Sequence, residues 1–373
     1  MYYNLFILLL FLMVSGCNNE QKKKAESIEK EESYSMADFK NVLKIDTHAH
    51  ITSDGKTFIN EARTNNFRLM DMIVDVPQFP SIPRQLEICR KHRAEDPDVF
   101  TYTTAFTLEG WDQPDWSDRI IEQLQKDFDN GALGVKVWKN IGMTYKDQQG
   151  SLIMLDDPKF DPIFQFIKDQ NKVLLSHAGE PKNCWLPLDE MTVNNDRDYF
   201  SKYPEFHMYL HPEMPSYEDQ VRARDNMLGK NPDLTFIGVH LASLEWNVDE
   251  IAKFLDRFPN ASVDLTERIP HLQYQSNKNR NRVREFFIKY QDRITYGTDF
   301  EEEESHDPEE LKERMNARWS RDWKYFNTEE TMTVPELDTP IQGLGLPKTV
   351  VDKIYRINAE NIFKDAWEAP KTS

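Results

Sequence analysis

Short apolar runs alternate along this chain with longer stretches in which apolar residues recur every three or four positions. The runs fall at residues 41–45, 70–76, 100–107, 133–138, 172–176, 234–239, 261–266 and 293–298. The stretches between them predict helices over 81–94, 116–130, 158–170, 217–230, 248–258 and 279–290. Strand-length runs alternating with helices of this length specify a parallel α/β architecture. An open doubly wound sheet is the main rival, but no Gly-x-Gly-x-x-Gly turn follows the first run. No Gly/Ser/Pro-rich linker or internal repeat interrupts residues 41–373, so one domain is expected there.

Residues able to bind metal stand at the ends of four of these runs. Asp46-Thr47-His48-Ala49-His50 follows the first. His177 closes the fifth, His240 the sixth and Asp299 the eighth. A single histidine at a strand end is more often a satisfied polar residue than a ligand, and Asp299 alone could cap a helix. Four such sets at the carboxyl ends of separate strands converge in a (β/α)8 barrel, which gathers its strand ends onto one face. A barrel needs roughly 250 residues, so the chain can hold one with long loops. His48 and His50 lie two apart in a strand and point to the same side. Imidazole nitrogen and carboxylate oxygen suit zinc and similar divalent ions.

This ordered set resembles the amidohydrolase superfamily, and more closely its amidohydrolase-related branch of metal-dependent TIM-barrel hydrolases and decarboxylases. The likeness rests on His48-Ala49-His50, His177 in Ser-His-Ala-Gly-Glu-Pro, His240 in Gly-Val-His-Leu-Ala-Ser and Asp299 in Tyr-Gly-Thr-Asp-Phe. The closing segment from Lys353 to Phe363 also looks like the branch's last helix. The resemblance implies one or two divalent ions, zinc being the first choice. With one ion, His177 joins His48, His50 and Asp299, and His240 orients the substrate. With two, His48 and His50 hold the first and His177 and His240 the second, with Lys136 bridging as a carbamate. Binuclear amidohydrolases carry a carboxylated lysine at the end of the fourth strand, the position Lys136 occupies. Asp299, accepting the proton of the attacking water, and His240 are the expected catalytic residues.

Lys136 raises its own question. In Gly134-Val135-Lys136-Val137-Trp138-Lys139 the two valines share one face and Lys136 the other. If the valines pack under helices, Lys136 points into the barrel, where an unpaired ammonium is costly. Pairing with Glu180 or Glu267 would relieve it, as would the carbamate; Lys139 is the weaker substitute. The loop from Glu180 to Ser216 carries Trp185, Tyr199, Phe200, Tyr203, Phe206, His207, Tyr209 and His211. Arg318, Trp319, Arg321, Asp322 and Trp323 follow the eighth strand. Most of these aromatics are expected to pack the loops down. Glu180, Arg268 and His271, just past strand ends, are the expected substrate contacts.

The net charge of −18 argues against a nucleic-acid partner, whose phosphates need a basic surface. Part of that charge clusters between Glu301 and Glu310. It reads as a solvated loop feeding a helix capped at Asp307, with Pro308 at its first position. The alternative puts these acids at the rim of the barrel mouth. Cys89 and Cys184 could pair, and Cys184 near the site could be a nucleophile, though a free loop thiol is the simpler reading.

The amino terminus differs in kind. Residues 5–14 are an unbroken apolar run, too short for a bilayer span of about 20 residues but suited to a signal-peptide core. Val14-Ser15-Gly16-Cys17 resembles a bacterial lipobox, which makes Cys17 the expected lipidation site, although no Lys or Arg precedes the run. Residues 1–17 are then a lipoprotein signal peptide and 18–40 a polar, flexible tether. The implied location is outside the cytoplasm, lipid-anchored to a bacterial membrane. Three functions compete on this reading. They are a hydrolase of a lactone, ester or amide on a small polar molecule, a nonoxidative decarboxylase, and a binding protein on a retired barrel. The complete ligand set disfavours the third. Sequence leaves the oligomeric state open.

Overall fold

The computed structural model describes residues 32–364 and 366–367. Cys17 and the expected signal peptide lie outside the described residues. Eight parallel strands form a barrel, two of them interrupted. β1 (Lys44–Ile51) and β2 (Phe67–Asp71) come first. The third barrel strand is β3 (Phe100–Tyr102) followed by β4 (Thr104–Ala105). β5 (Gly134–Val137), β6 (Val173–Ser176), β7 (Phe236–Gly238) and β8 (Ala261–Asp264) follow, and the eighth is β9 (Ile294–Thr295) with β10 (Phe300–Glu302). Pairing runs β10-β1-β2-β3 and β4-β5-β6-β7-β8-β9. Backbone bonds carry the ladder past both interruptions: Thr103 N–H donates to Asp71 O, and Thr47 N–H donates to Tyr296 O. The circle closes as a TIM barrel.

Alternation along the strands sorts two cores. Lys136, Leu175 and Ile237 are register partners across β5, β6 and β7 and share the inward face. Leu175 and Ile237 join Ile45, Met70 and Val173 in the barrel floor, which Phe363 and Trp367 plug from below. Trp367 Nε1 donates to Leu69 O at 3.1 Å. The outward residues Val135, Val137, Leu174 and Val263 pack under the helices.

Those helices are α1 (Thr57–Thr64), α2 (Ile82–Glu95), α3 (Trp116–Asp129), α4 (Asp161–Asp169), α5 (Asn194–Lys202), α6 (Tyr217–Lys230), α7 (Val248–Arg257), α8 (Ile269–Lys289) and α9 (Pro308–Asn327). In α3, Trp116, Ile120, Leu124 and Phe128 recur every fourth residue and are all buried. Each such side chain contributes about 1.5–3 kcal/mol relative to exposure. Asp307 starts α9 by accepting from the Glu309 and Glu310 backbone N–H groups, with Pro308 at the first position.

Four expectations change. The second strand ends at Asp71, and the apolar run beyond it belongs to a loop that buries Met72, Ile73 and Val74 on its way to the barrel mouth. The helix expected over 279–290 is the second half of α8, which breaks at Asn279 (φ −158°, ψ 87°). Its first half buries His271, Gln273 and Ser276, polar residues that hide its stripe. The expected tether does not reach residue 40 as free chain. Tyr34 packs against Trp323 and Phe39 against Phe67, while Ser35 O accepts from Trp323 Nε1 at 3.0 Å. Two aromatic rings give that segment apolar surface to bury. Trp319 and Trp323, candidates for the mouth, instead pack α9 onto the barrel; Trp319 stacks on Phe67 at 4.3 Å.

Candidate metal centre

The first and eighth strands are locked together by Asp46. Its buried carboxylate accepts from His48 N–H (3.2 Å), Thr298 N–H (3.0 Å), Thr298 Oγ1 (2.6 Å) and Trp319 Nε1 (3.2 Å). Asp299 N–H in turn donates to His48 O at 2.8 Å. His48 and Asp299 are therefore neighbours by backbone geometry. Gly297 makes the approach possible, because a Cβ there would lie 2.8 Å from His48 Cβ and 2.5 Å from Thr266 Oγ1.

At the carboxyl ends of the strands the Asp299 carboxylate is surrounded by imidazoles. Oδ1 lies 2.9 Å from His48 Nε2 and 3.2 Å from His50 Nε2, and Oδ2 lies 4.0 Å from His240 Nε2. His48, His240 and Asp299 offer ligand atoms all within 4.8 Å of one another. The His177 ring centroid is 4.2 Å from that of His240.

Outer partners set the tautomers. His48 Nδ1 donates to Asp264 Oδ2 at 3.0 Å, and His240 Nδ1 donates to Thr266 O at 2.9 Å. Each bond leaves the Nε2 lone pair facing the site, the usual second-sphere arrangement of a histidine ligand. His177 Nε2 and His50 Nδ1 are buried without a hydrogen-bond partner in the protein.

The electrostatics suit a cation. Burial pushes His50, His177 and His240 below the ordinary imidazole range, with Lys139 adding to the effect on His177 and His177 to that on His240. Burial thus favours the neutral, coordinating form of these three rings; His48 is the exception, since burial and Lys136 oppose its charge but Asp299 and Asp264 raise it above the ordinary range. Burial opposes the charge on Asp299, but His48 and His240 overcome it and hold the carboxyl well below its usual range. Imidazoles gathered around one carboxylate, two of them carrying buried unpartnered nitrogens, fit a divalent ion bound through nitrogen and oxygen.

Lys136 faces inward, with Nζ 3.1 Å from His48 Nε2 and 3.5 Å from Met72 Sδ. Burial lowers it to about 8. It pairs with neither expected carboxylate, because Glu180 is bonded to Lys139 and Glu267 lies 3.2 Å from Arg318 Nη1.

Above the candidate metal ligands opens a cavity of about 750 Å³. Glu180 and Arg268 line it. Arg268 is buried, and its Nε has no protein partner. His271 does not line it. Its Nε2 bonds Asp196 Oδ2 at 2.9 Å behind the wall, because it lies seven residues past the end of β8, in the first turn of α8, and points into the packing of that helix. Cys184 is buried away from the cavity, its thiol directed at Phe206 O and held protonated by burial, so it is no nucleophile. Cys89 and Cys184 are both free. Of the acidic cluster, Glu301 and Glu303 reach the cavity wall, while Glu302 turns inward to accept from Thr57 and Phe58 N–H at the start of α1. The β2–α2 loop adds Phe79, whose ring is 5.4 Å from that of His50.

Strain concentrates at this face. His240, Leu241, Ala242 and Ser243 all hold φ near +56°, and Glu267 (φ 53°) and Asp299 (φ 68°) are left-handed as well. Each such non-glycine residue costs on the order of 1–3 kcal/mol, and such residues persist mainly at functional sites. His240 therefore reaches the site on a left-handed turn rather than on the strand itself. Sequence missed Asp264, which accepts from both His48 Nδ1 and His240 N–H; an acidic residue inside the seventh apolar run was the available signal.

The amidohydrolase family profile matches residues 45–364. A 2,6-dihydroxybenzoate decarboxylase from Rhizobium is structurally similar, at 14% identity and a TM-score of 0.51, covering 86% of this chain and 98% of that one. An uncharacterised TIM-barrel protein from Bordetella bronchiseptica aligns at 15% identity and a TM-score of 0.48, covering 87% and 99%. A comparison with curated protein sequences finds no match.

Proposed function

Because the chain belongs to the amidohydrolase family, whose metal-dependent enzymes include hydrolases and nonoxidative decarboxylases, we propose that it hydrolyses a lactone, ester or amide of a small polar molecule. The observation carrying this choice is the charge of the cavity. Six carboxylates line it (Glu180, Asp196, Glu267, Asp299, Glu301 and Glu303) against the cations Lys139 and Arg268, with Lys136 a third cation only if it stays an amine. A decarboxylase must draw in a substrate that brings a further carboxylate; a hydrolase of a neutral carbonyl compound need not. Decarboxylation remains the second reading on the strength of Arg268, whose buried, unpartnered Nε would suit a carboxylate.

His48, His50, His177, His240 and Asp299 would hold the ion, and the nitrogen-rich set favours zinc. When bound, a divalent ion lowers the pKa of water toward ~7 and polarises a carbonyl. Asp299, kept ionised by its neighbours, accepts a proton from the attacking water and passes it to the leaving group. His240, its Nδ1 held by Thr266 O, presents Nε2 as an acceptor that orients a substrate hydroxyl or N–H if it is not a ligand. Arg268 and Glu180 contact the substrate from the wall.

Lys136 as a carbamate would bridge two ions. Its inward position beside His48 and its lack of an ion-paired carboxylate among the described residues support that assignment. The lipobox-like Val14-Ser15-Gly16-Cys17 supports export and anchoring through Cys17.

Metal analysis of the purified protein, with a screen of lactones, esters and amides beside a panel of hydroxylated aromatic acids, tests the reading. Turnover of a hydrolysable compound is expected. Carbon dioxide release from an aromatic acid without hydrolysis of any compound would overturn it.

A further inference from the structure

Glu180 stands on a turn that holds it against His177. His177 follows β6, and its N–H donates to Val137 O at 3.0 Å, which ties it to the end of β5. Gly179 (φ 75°) then reverses the chain in a conformation that favours glycine, and Glu180 comes back toward the imidazole. Ser243 Oγ lies 3.0 Å from Ala178 O and 3.1 Å from Gly179 O. The turn is thereby pinned to the left-handed segment that carries His240.

The two oxygens of this buried carboxylate meet different partners. Oε1 accepts from Nζ of Lys139, which stands two residues past β5. Oε2 lies 3.6 Å from His177 Nε2, a nitrogen that is buried and has no hydrogen-bond partner in the protein. A separation of 3.6 Å is too long for a hydrogen bond. It is also too short for a bridging water, which holds partners about 4.6 Å apart with two bonds of about 2.8 Å near the tetrahedral angle. An ion with two bonds of about 2.1 Å at the tetrahedral angle holds its ligands about 3.4 Å apart. Of these three, the ion fits the gap.

We propose that Glu180 is a metal ligand, its Oε2 joining His177 on one ion, and that Lys139 is the positioning residue that fixes it. Neither role follows from the histidines and aspartate that mark the family. A ligating carboxylate is usually hydrogen-bonded in its turn. Lys139 does for Glu180 what Asp264 does for His48. Glu180 also brings negative charge to the side of the site where His177 and His240 stand with ring centroids 4.2 Å apart, whereas Asp299 lies nearer His48 and His50. Because Glu180 lines the cavity, it reaches the substrate from beside the ion. The proposal rests on the metal centre, whether the reaction is hydrolysis or decarboxylation.

The test reads the ion apart from turnover, by zinc titration of the full protein against a competing chelator and by visible spectra of the cobalt-loaded protein. Glu180→Gln keeps the size and removes the charge. Zinc should then be held at least ~100-fold more weakly, beyond the usual effect of losing an outer partner, and the cobalt spectrum should change. The ion affected should be the one that His177→Ala loses. Lys139→Met should weaken zinc about tenfold and keep the wild-type cobalt spectrum at saturation. Charge alone predicts the opposite sign, since removing an ammonium beside a cation tightens its binding. In a Glu180→Gln background, Lys139→Met should weaken zinc no further, because the lysine acts through the carboxylate. If circular dichroism shows Glu180→Gln to be misfolded, Glu180→Asp carries the test: it keeps the charge, withdraws the oxygen from His177 and should still weaken zinc. Unchanged zinc affinity and cobalt spectrum in the Glu180 variants, or tighter zinc in Lys139→Met, would overturn the assignment. Wild-type protein that takes up neither metal would instead overturn the metal centre itself.

Discussion

Asp264 holds His48 and His240 in place with its two oxygens. Oδ2 accepts from His48 Nδ1 at 3.0 Å, and Oδ1 accepts from the His240 backbone N–H at 2.6 Å. One carboxylate on β8 thereby orients a ring from β1 and anchors the left-handed turn after β7. Burial opposes its charge, but the hydrogen bond from His48 and the nearby charges hold it below the usual carboxylate range. Asp264→Asn keeps the shape and weakens both bonds. Loss of such an outer partner lowers metal affinity by about 10- to 100-fold. Zinc titration against a competing chelator should show that fall with the fold intact by circular dichroism; unchanged affinity would remove Asp264 from the support of the site.

Gly297 sets the distance between the eighth strand and His48. An alanine methyl would meet His48 Cβ at 2.8 Å and Thr266 Oγ1 at 2.5 Å, and neither belongs to a flexible side chain. Gly297→Ala should cost about 1–3 kcal/mol by overpacking and displace His48. Metal content and activity should fall more than the melting temperature does. A fully loaded, fully active variant would mean the strand gives way without moving the ring.

Lys136 separates one ion from two. If it bridges as a carbamate, Lys136→Ala loses one ion and most activity, and a short carboxylic acid supplied in solution restores part of it. Metal counting on wild type and variant, with and without acetate, decides. Full wild-type activity with one ion per chain would end the carbamate assignment and leave Lys136 as a hydrogen-bond donor to His48 Nε2 or to substrate.

Asp71 gives a pH prediction. Its buried carboxyl accepts from Ile51 N–H at 2.9 Å, yet burial pushes it up to about 7. The folded state then binds a proton that the unfolded chain has already released. Stability from this group is present below the ordinary aspartate range and is lost as pH rises through about 7, by on the order of 4 kcal/mol at most. Asp71→Asn keeps an acceptor for Ile51 and removes the titration. Denaturant melts between pH 5 and 8 should show wild type weakening toward the alkaline end and the variant nearly flat. Parallel curves would show that Asp71 stays ionised in the folded protein.

His48, His50, His177, His240 and Asp299 were legible because each ends an apolar run, and a barrel brings strand ends together whatever the loops do. The inward aim of Lys136 was legible because side chains alternate on a strand and its flanking valines match the outer core. His271 shows where such reasoning stops. Strand-end proximity placed it at the mouth, but its position on α8 turns it behind the wall toward Asp196. The cavity wall from Phe79 to Tyr199 and Phe206 was equally out of reach, since it joins an irregular loop to the short helix α5, and only packing decides which of their side chains face the cavity.

The chain by itself determined the alternation of strands and helices, the family, and which residues stand at strand ends, because these depend on local periodicity and order along the sequence. Only the tertiary structure decided that Asp264 supports two of the expected metal-binding residues, that His240 arrives on a strained left-handed turn, and that Lys136 faces His48 rather than Glu180 or Glu267. These are contacts between segments far apart in sequence. They depend on barrel register and on where each loop finds surface to bury, and neither is encoded within a single strand or helix.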